Sequence, residues 1–181
     1  MNKYKIERRN KNMDNIILIG MSGAGKSTLG VLLAKSLNLL FADTDLLIQH
    51  KHQQLLHEIL EKEGIQNFKK YEEVVLSGLN MKGTVIATGG SAIYSQLAME
   101  RLKTIGLVIY LHVPFERINK RLQDITSRGI VIDEGQSLSD IYLEREPLYN
   151  KYADITVNIL DETIEETLNH IIEMIRNWKC L

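Results

Sequence analysis

The chain has a single cysteine, Cys180, so it cannot close a disulfide on itself. A reducing, cytosolic setting is the expectation that follows. No apolar run approaches the roughly 20 residues a bilayer-spanning helix needs, and the N-terminal stretch lacks the apolar centre of a secretion signal. Excess charge is missing as well. The 22 Lys and Arg against 23 Asp and Glu leave a formal net charge of -1, which supplies no electrostatic footing for nucleic acid. With two prolines, no internal repeat and no low-complexity stretch, what remains is an ordinary globular composition, 44% hydrophobic and 25% charged over 181 residues. That length suits one domain with a full core. The expectation is a soluble monomer that acts on small molecules, with neither membrane nor nucleic acid as partner.

Against this plain background one stretch stands out. Gly20-Met21-Ser22-Gly23-Ala24-Gly25-Lys26-Ser27-Thr28 fits the phosphate-loop pattern G-x-x-x-x-G-K-[ST]. The chemistry requires these residue types. Backbone N-H groups must curl around phosphate oxygens, which glycines permit, and the loop must open a helix whose N-terminus favours negative charge. Gly23, Ala24, Gly25, Lys26, Ser27 and Thr28 are therefore candidate nucleotide contacts. Lys26 is placed to reach the β- and γ-phosphates, and the Ser27 hydroxyl to meet Mg²⁺. The flanks agree: Asn15 to Ile19 is a short apolar run typical of a buried parallel strand, and Leu29, Leu32, Leu33 and Leu37 carry helical spacing.

Residues 1–14 are basic and aperiodic and read as a solvated, disordered tail, with Met13 an alternative start. After the first helix, Phe41-Ala42-Asp43-Thr44-Asp45 sets two carboxylates at a strand-to-helix turn, where both can reach a site above the sheet edge. In phosphoryl transfer one such carboxylate supports Mg²⁺ and the other orients or deprotonates the attacking hydroxyl. Helix capping is the ordinary use of Asp43, and the two uses are compatible. His50-Lys51-His52 reads as a solvated helix end rather than a metal site. Leu56, Ile59 and Leu60 form a helix stopped by Gly64. A second helix follows, with Phe68, Tyr71, Val75 and Leu79 inward and Lys69 off that stripe. Thr84 to Thr88 is a strand running into Gly89-Gly90-Ser91, where a ligand can approach the backbone closely. Gly106 to Leu111 is a further strand, and Pro114 suits the first turn of the next helix. From Gln123 to Gln136 periodicity vanishes around Arg128, as in a lid over a nucleotide. Ser137 to Tyr152 returns to helix, Asp154 to Asn158 is the last strand, and Glu162 to Trp178 closes as a helix with Ile164, Leu168, Ile171, Ile172 and Ile175 on one face. Alternating strands and helices predict an α/β, three-layer P-loop kinase fold: a central parallel sheet with helices on both faces, in a single domain over 15–181.

Taken in order, the phosphate loop followed by Leu29-Gly30, the Phe41 to Asp45 stretch, Phe68-Lys69, Thr88-Gly89-Gly90, Arg128, Arg145-Glu146-Pro147-Leu148-Tyr149 and Tyr152-Ala153-Asp154 resemble the shikimate kinases. The resemblance implies transfer of the γ-phosphoryl of ATP to a hydroxyl of shikimate, in aromatic amino-acid biosynthesis. It further implies Asp45 at the acceptor hydroxyls as base, Asp43 supporting Mg²⁺ through water, Lys69 and Arg145 on the substrate carboxylate, and Gly89 and Gly90 against the substrate. Arg128 would enter with the lid and Arg121 would lie against adenine. Three positions depart from the family pattern: Lys69 replaces an arginine, Ser91 a third glycine, and Gly129 a proline after the lid arginine. Lysine lacks the planar fork of a guanidinium, and Ser91 adds a side chain to the site wall. These changes bear on the acceptor, so a related kinase of another small hydroxy acid or polyol stands beside the first reading. A nucleoside monophosphate kinase and a nucleotide-binding protein without turnover are further alternatives.

Overall fold

The protein is described by a computed structural model covering residues 15–123 and 135–179. The expected tail at 1–14, Arg128 and Gly129 with most of the expected lid, and Cys180 lie outside the described residues. Within them the chain alternates as expected. Strands β1 (Asn15–Ile19), β2 (Leu40–Asp43), β3 (Thr84–Ala87), β4 (Gly106–His112) and β5 (Ile155–Asn158) interleave with seven helices. These are α1 (Lys26–Leu37), α2 (Thr44–His52), α3 (Leu56–Ser77), α4 (Gln96–Ile105), α5 (Phe115–Gln123), α6 (Leu138–Tyr152) and α7 (Ile164–Lys179), with a 3₁₀ turn at Ala92–Tyr94.

The strands form one sheet in the order β2-β3-β1-β4-β5, with every pairing parallel. Connection handedness then distributes the helices. The β1-α1-β2 crossover runs across the sheet in one direction and β3-α4-β4 in the other, so right-handed crossovers put α1 and α4 on opposite faces. The packing agrees: α1 meets α7, whereas α3 packs on α4 and α2. A sheet covered on both faces carries apolar runs rather than alternation. All five residues of β1 and all four of β3 are accordingly buried.

Two expectations are met in detail and two corrected. Gly64 breaks α3 with φ 76° and ψ 166°, separating two helical segments as its position suggested. Leu79 is buried but lies beyond the Gly78 cap of α3, so it packs from the following turn. Ile164 was expected on the buried face of α7, yet it is 56% exposed. It occupies the first helical position and faces a cleft that Ala24, Thr28 and Arg121 also line. Leu168, Ile171, Ile172 and Ile175, one turn or more further on, do pack against the core.

Asn15 fastens the opposite edge of the sheet. Its buried amide donates to the carbonyls of Met81 at 2.7 Å and Ile105 at 2.9 Å and accepts from the Thr84 N-H at 3.1 Å, tying together the chain segments entering β3 and β4. Replacing Asn15 by Ala strands three polar groups in a poorly solvated site. At about 1 kcal/mol each, urea unfolding should show a loss of about 2–4 kcal/mol; a loss below about 0.5 kcal/mol would contradict this role for the amide.

Candidate active site

The phosphate loop leaves β1 through Gly20 at φ 143°, where an added Cβ would stand 2.7 Å from the Leu111 carbonyl oxygen. Only glycine fits so close to β4. The Ala24 N-H closes the first turn onto the Met21 carbonyl at 3.0 Å, and Gly25, left-handed at φ 93°, delivers the chain into α1. The loop therefore opens directly onto the electropositive end of a helix. Lys26 is buried, and its ammonium donates to the carbonyls of Gly20 and Met21, both at 2.8 Å. Burial pulls its pKa down to about 8, outweighing the attraction of Asp45, Asp43 and Glu72.

Asp43 ends β2 and caps α2, accepting the Asp45 N-H at 3.0 Å through Oδ1. Its other oxygen accepts the Ser27 hydroxyl at 2.6 Å. One carboxylate thus both caps α2 and ties it to the start of α1. Between the two aspartates, buried Thr44 takes the Gly89 N-H on its hydroxyl at 3.2 Å, which fixes the end of β3 beside the start of α2.

Opposite the loop, α3, the turn after β3 and α6 build a second wall. A Cβ on Gly89 would collide with the Glu72 carboxylate and stand 2.9 Å from Asp45 Oδ1; one on Gly90 would stand 3.0 Å from Ser22 Oγ and 3.2 Å from an Arg145 guanidinium nitrogen. These glycines let charged side chains from three helices approach one backbone turn. Arg145 is only 1% exposed, and its Nε donates to the Tyr94 hydroxyl at 3.2 Å. Lys69 stands over the Tyr94 ring, 4.8 Å from its centroid. The Gly90 carbonyl is anchored by the Tyr149 hydroxyl at 2.6 Å, and the Tyr149 ring stacks on Tyr110.

Ser91 does put a side chain into the wall, as expected, and the structure gives it a partner. Its hydroxyl donates to Glu72 Oε2 at 2.6 Å, with both residues buried. Glu72 Oε1 has no hydrogen-bond partner among the described residues. Burial pushes the Glu72 carboxyl up to about 7, against the pull of Ser91, Arg145 and Lys26, while Asp45 adds to the rise.

Two clefts meet at the loop. The first, about 490 Å³, runs from Ser22, Lys26 and Ser27 to Asp43, Asp45, Thr88 and Gly90, and a narrow recess continues it past Asp45 to Ser91 and Arg145. The second, about 420 Å³, lies on the other side of Gly23, between Ala24, Thr28, Arg121, Ile159 and Ile164. Arg121 holds the Gly23 carbonyl at 2.9 Å. Of the residues singled out from sequence, all but Arg128 thus gather along this one edge; Arg128 is outside the described residues.

The chain as a whole matches known proteins. The family model described as shikimate kinase matches residues 22–176. The chain belongs to the shikimate kinase family. A shikimate kinase of Haemophilus influenzae is 36% identical over 171 residues, covering 92% of this chain and 95% of its own. One of Tolumonas auensis is 37% identical over 165 residues, covering 89% and 96%. Among solved structures, a shikimate kinase from Acinetobacter baumannii in complex with shikimate superposes with a TM-score of 0.85 at 35% identity, covering 93% of this chain and 96% of that one. Membership in this kinase family makes ATP the nucleotide co-substrate.

Within the shikimate kinase frame, two residues of the wall escaped the sequence reading, Glu72 and Tyr94, while Tyr149 entered it only as part of the Arg145 to Tyr149 stretch. Glu72 had a usable signal, since it follows Phe68 by four residues and so sits inside the apolar stripe of α3, where a carboxylate is out of place unless it has a task. Tyr94 had none, because its partners come from other elements.

Glu72 also gives a stability signature. Folded, it keeps its proton up to about pH 7, whereas unfolded it releases it near 4.5. The folded state binds the extra proton within that window, so stability falls as pH rises through it. Glu72→Gln removes the slope while leaving an acceptor for Ser91. The melting temperature of the variant should gain on the wild type between pH 5 and pH 8 by roughly 5 °C or more; a difference independent of pH would contradict the buried, protonated state.

Proposed function

We propose that this protein transfers the γ-phosphoryl group of ATP to a hydroxyl of shikimate, forming ADP and shikimate 3-phosphate. The observation that carries this reading is the position of Asp45, which lines both the cleft at the phosphate loop and the recess that leads to Arg145. A donor phosphate on the loop and an acceptor in the recess would meet at its carboxylate.

The loop N-H groups and the start of α1 hold the β- and γ-phosphates. Lys26 keeps two of its three ammonium hydrogens on the Gly20 and Met21 carbonyls, leaving one for a phosphate oxygen. The base of the nucleotide occupies the second cleft beside Arg121. Ser27 and Asp43 place two oxygens 2.6 Å apart at the mouth of the loop, a donor set that fits a hard cation, so these residues would hold Mg²⁺. When bound with the nucleotide, Mg²⁺ neutralises charge on the phosphates. Asp45 orients the acceptor hydroxyl and takes its proton as the oxygen bonds to the γ-phosphorus and the bond to the β-γ bridging oxygen breaks. Lys69 and Arg145 bind the acceptor carboxylate, and Gly89, Gly90 and Ser91 form the wall behind the ring. Arg128 is assigned to the transferred phosphoryl on resemblance alone.

ADP release measured with MgATP and a panel of acceptors tests the assignment. Shikimate should stimulate turnover far above the acceptor-free rate, while AMP, CMP and other small hydroxy acids should not. No stimulation by shikimate would refute it, and a stronger response to another acid or to a nucleoside monophosphate would name the acceptor instead. Lys26→Met should lower kcat by about a hundredfold or more. In the wild type, kcat/KM for ATP should turn down above about pH 8, where free Lys26 loses its charge; a flat profile to pH 9.5 would exclude that role.

A further inference from the structure

The two cations of the acceptor wall differ in how well they can aim themselves. Arg145 carries a planar fork, but Lys69 ends in a point charge on a four-carbon stem with no directional preference of its own. They come from different helices, α3 and α6; Arg145 lines the recess, and Lys69 lies against the same tyrosine ring as Arg145. Bringing like charges together is unfavourable unless something between the helices holds them.

That element is the 3₁₀ turn after β3, which packs against both α3 and α6. Its last residue, Tyr94, engages both cations. The Lys69 ammonium lies 4.8 Å and the Arg145 guanidinium carbon 5.2 Å from the centre of the same ring. The Arg145 Nε also donates to the phenol oxygen at 3.2 Å. The phenol hydrogen is left to serve Glu144, the neighbour of Arg145 on α6. A ring face attracts cations, and more strongly as water is withdrawn. The phenol stays neutral, because burial raises its pKa and the bond to Glu144 adds to the rise.

We propose that Tyr94 is a positioning residue for the acceptor carboxylate: its ring restrains the Lys69 ammonium and its hydroxyl fixes Arg145, so that the two cations converge on one anion. The tyrosine supplies the aim that the lysine side chain lacks. This rests on the reading that the acceptor is a carboxylate, and it adds a residue that touches neither phosphate nor reacting hydroxyl.

Steady-state kinetics of the wild type, Tyr94→Phe and Tyr94→Leu, varying each substrate in turn, test it. Tyr94→Phe keeps the ring and loses the hydroxyl bond to a charged group, which should raise KM for shikimate about tenfold. Tyr94→Leu loses the ring as well and should raise it about thirtyfold or more. KM for ATP should stay within twofold in both. With the carboxamide of shikimate as acceptor, the variants and the wild type should converge. In a Lys69→Met background the gap between Phe and Leu should narrow, because only the Arg145 guanidinium remains against the ring. Unchanged KM for shikimate, or KM values for ATP and shikimate rising together, would overturn the inference and leave Tyr94 a packing residue. Wild-type protein that released no ADP on adding shikimate would instead overturn the acceptor assignment, and the inference with it.

Discussion

A charge taken out of water persists only where partners or a ligand replace its hydration, and that constraint shapes the carboxyl edge of this sheet. Lys26, Glu72 and Arg145 are all buried there. Protein groups reach all three. Two loop carbonyls hold Lys26, a serine hydroxyl holds one oxygen of Glu72, and a phenol holds Arg145 through Nε. Burial lowers the Lys26 pKa and raises that of Glu72, so for both groups it works against the charged form.

The fold supplies this arrangement through its topology. A parallel sheet sends every strand out at the same edge, and the reversal of direction between β1-α1-β2 and β3-α4-β4 opens a crevice beside β1, where ligands of such sheets bind. The glycines at 20, 89 and 90 then let backbone and charged side chains approach closer than a Cβ would allow. At the far edge, Asn15 holds the same strands with uncharged hydrogen bonds. Stability is thus concentrated at one end of the sheet and chemistry at the other.

How much of this was legible in the sequence follows from how local each signal is. The phosphate loop, the Asp43 and Asp45 turn and the break at Gly64 are dictated within a few residues, and they stand where the spacing put them. Helical periodicity placed α7, but it misjudged Ile164, because a residue in the first turn can line an open cleft while keeping the phase of the buried face. Lys69 was recognisable only by resemblance, since its spacing marks it as an ordinary surface residue. Tyr94 was not recognisable at all: its meaning lies in Lys69 and Arg145, which are distant in sequence and meet only through the packing of α3 and α6 around the 3₁₀ turn. The Ser91 hydroxyl was visible as an intrusion, but its partner Glu72 was not, which is why the intrusion turns out to be a buried hydrogen bond rather than a loss of space.

The central claim is that donor and acceptor occupy adjoining sites that share Asp45, so that the phosphoryl group passes directly between them. The most direct test is the stereochemical course of transfer from ATP made chiral at the γ-phosphorus with oxygen isotopes. A single in-line displacement between two bound substrates predicts inversion of configuration in the phosphorylated product. Retention would require two displacements through a phosphorylated side chain and would contradict the role assigned to Asp45.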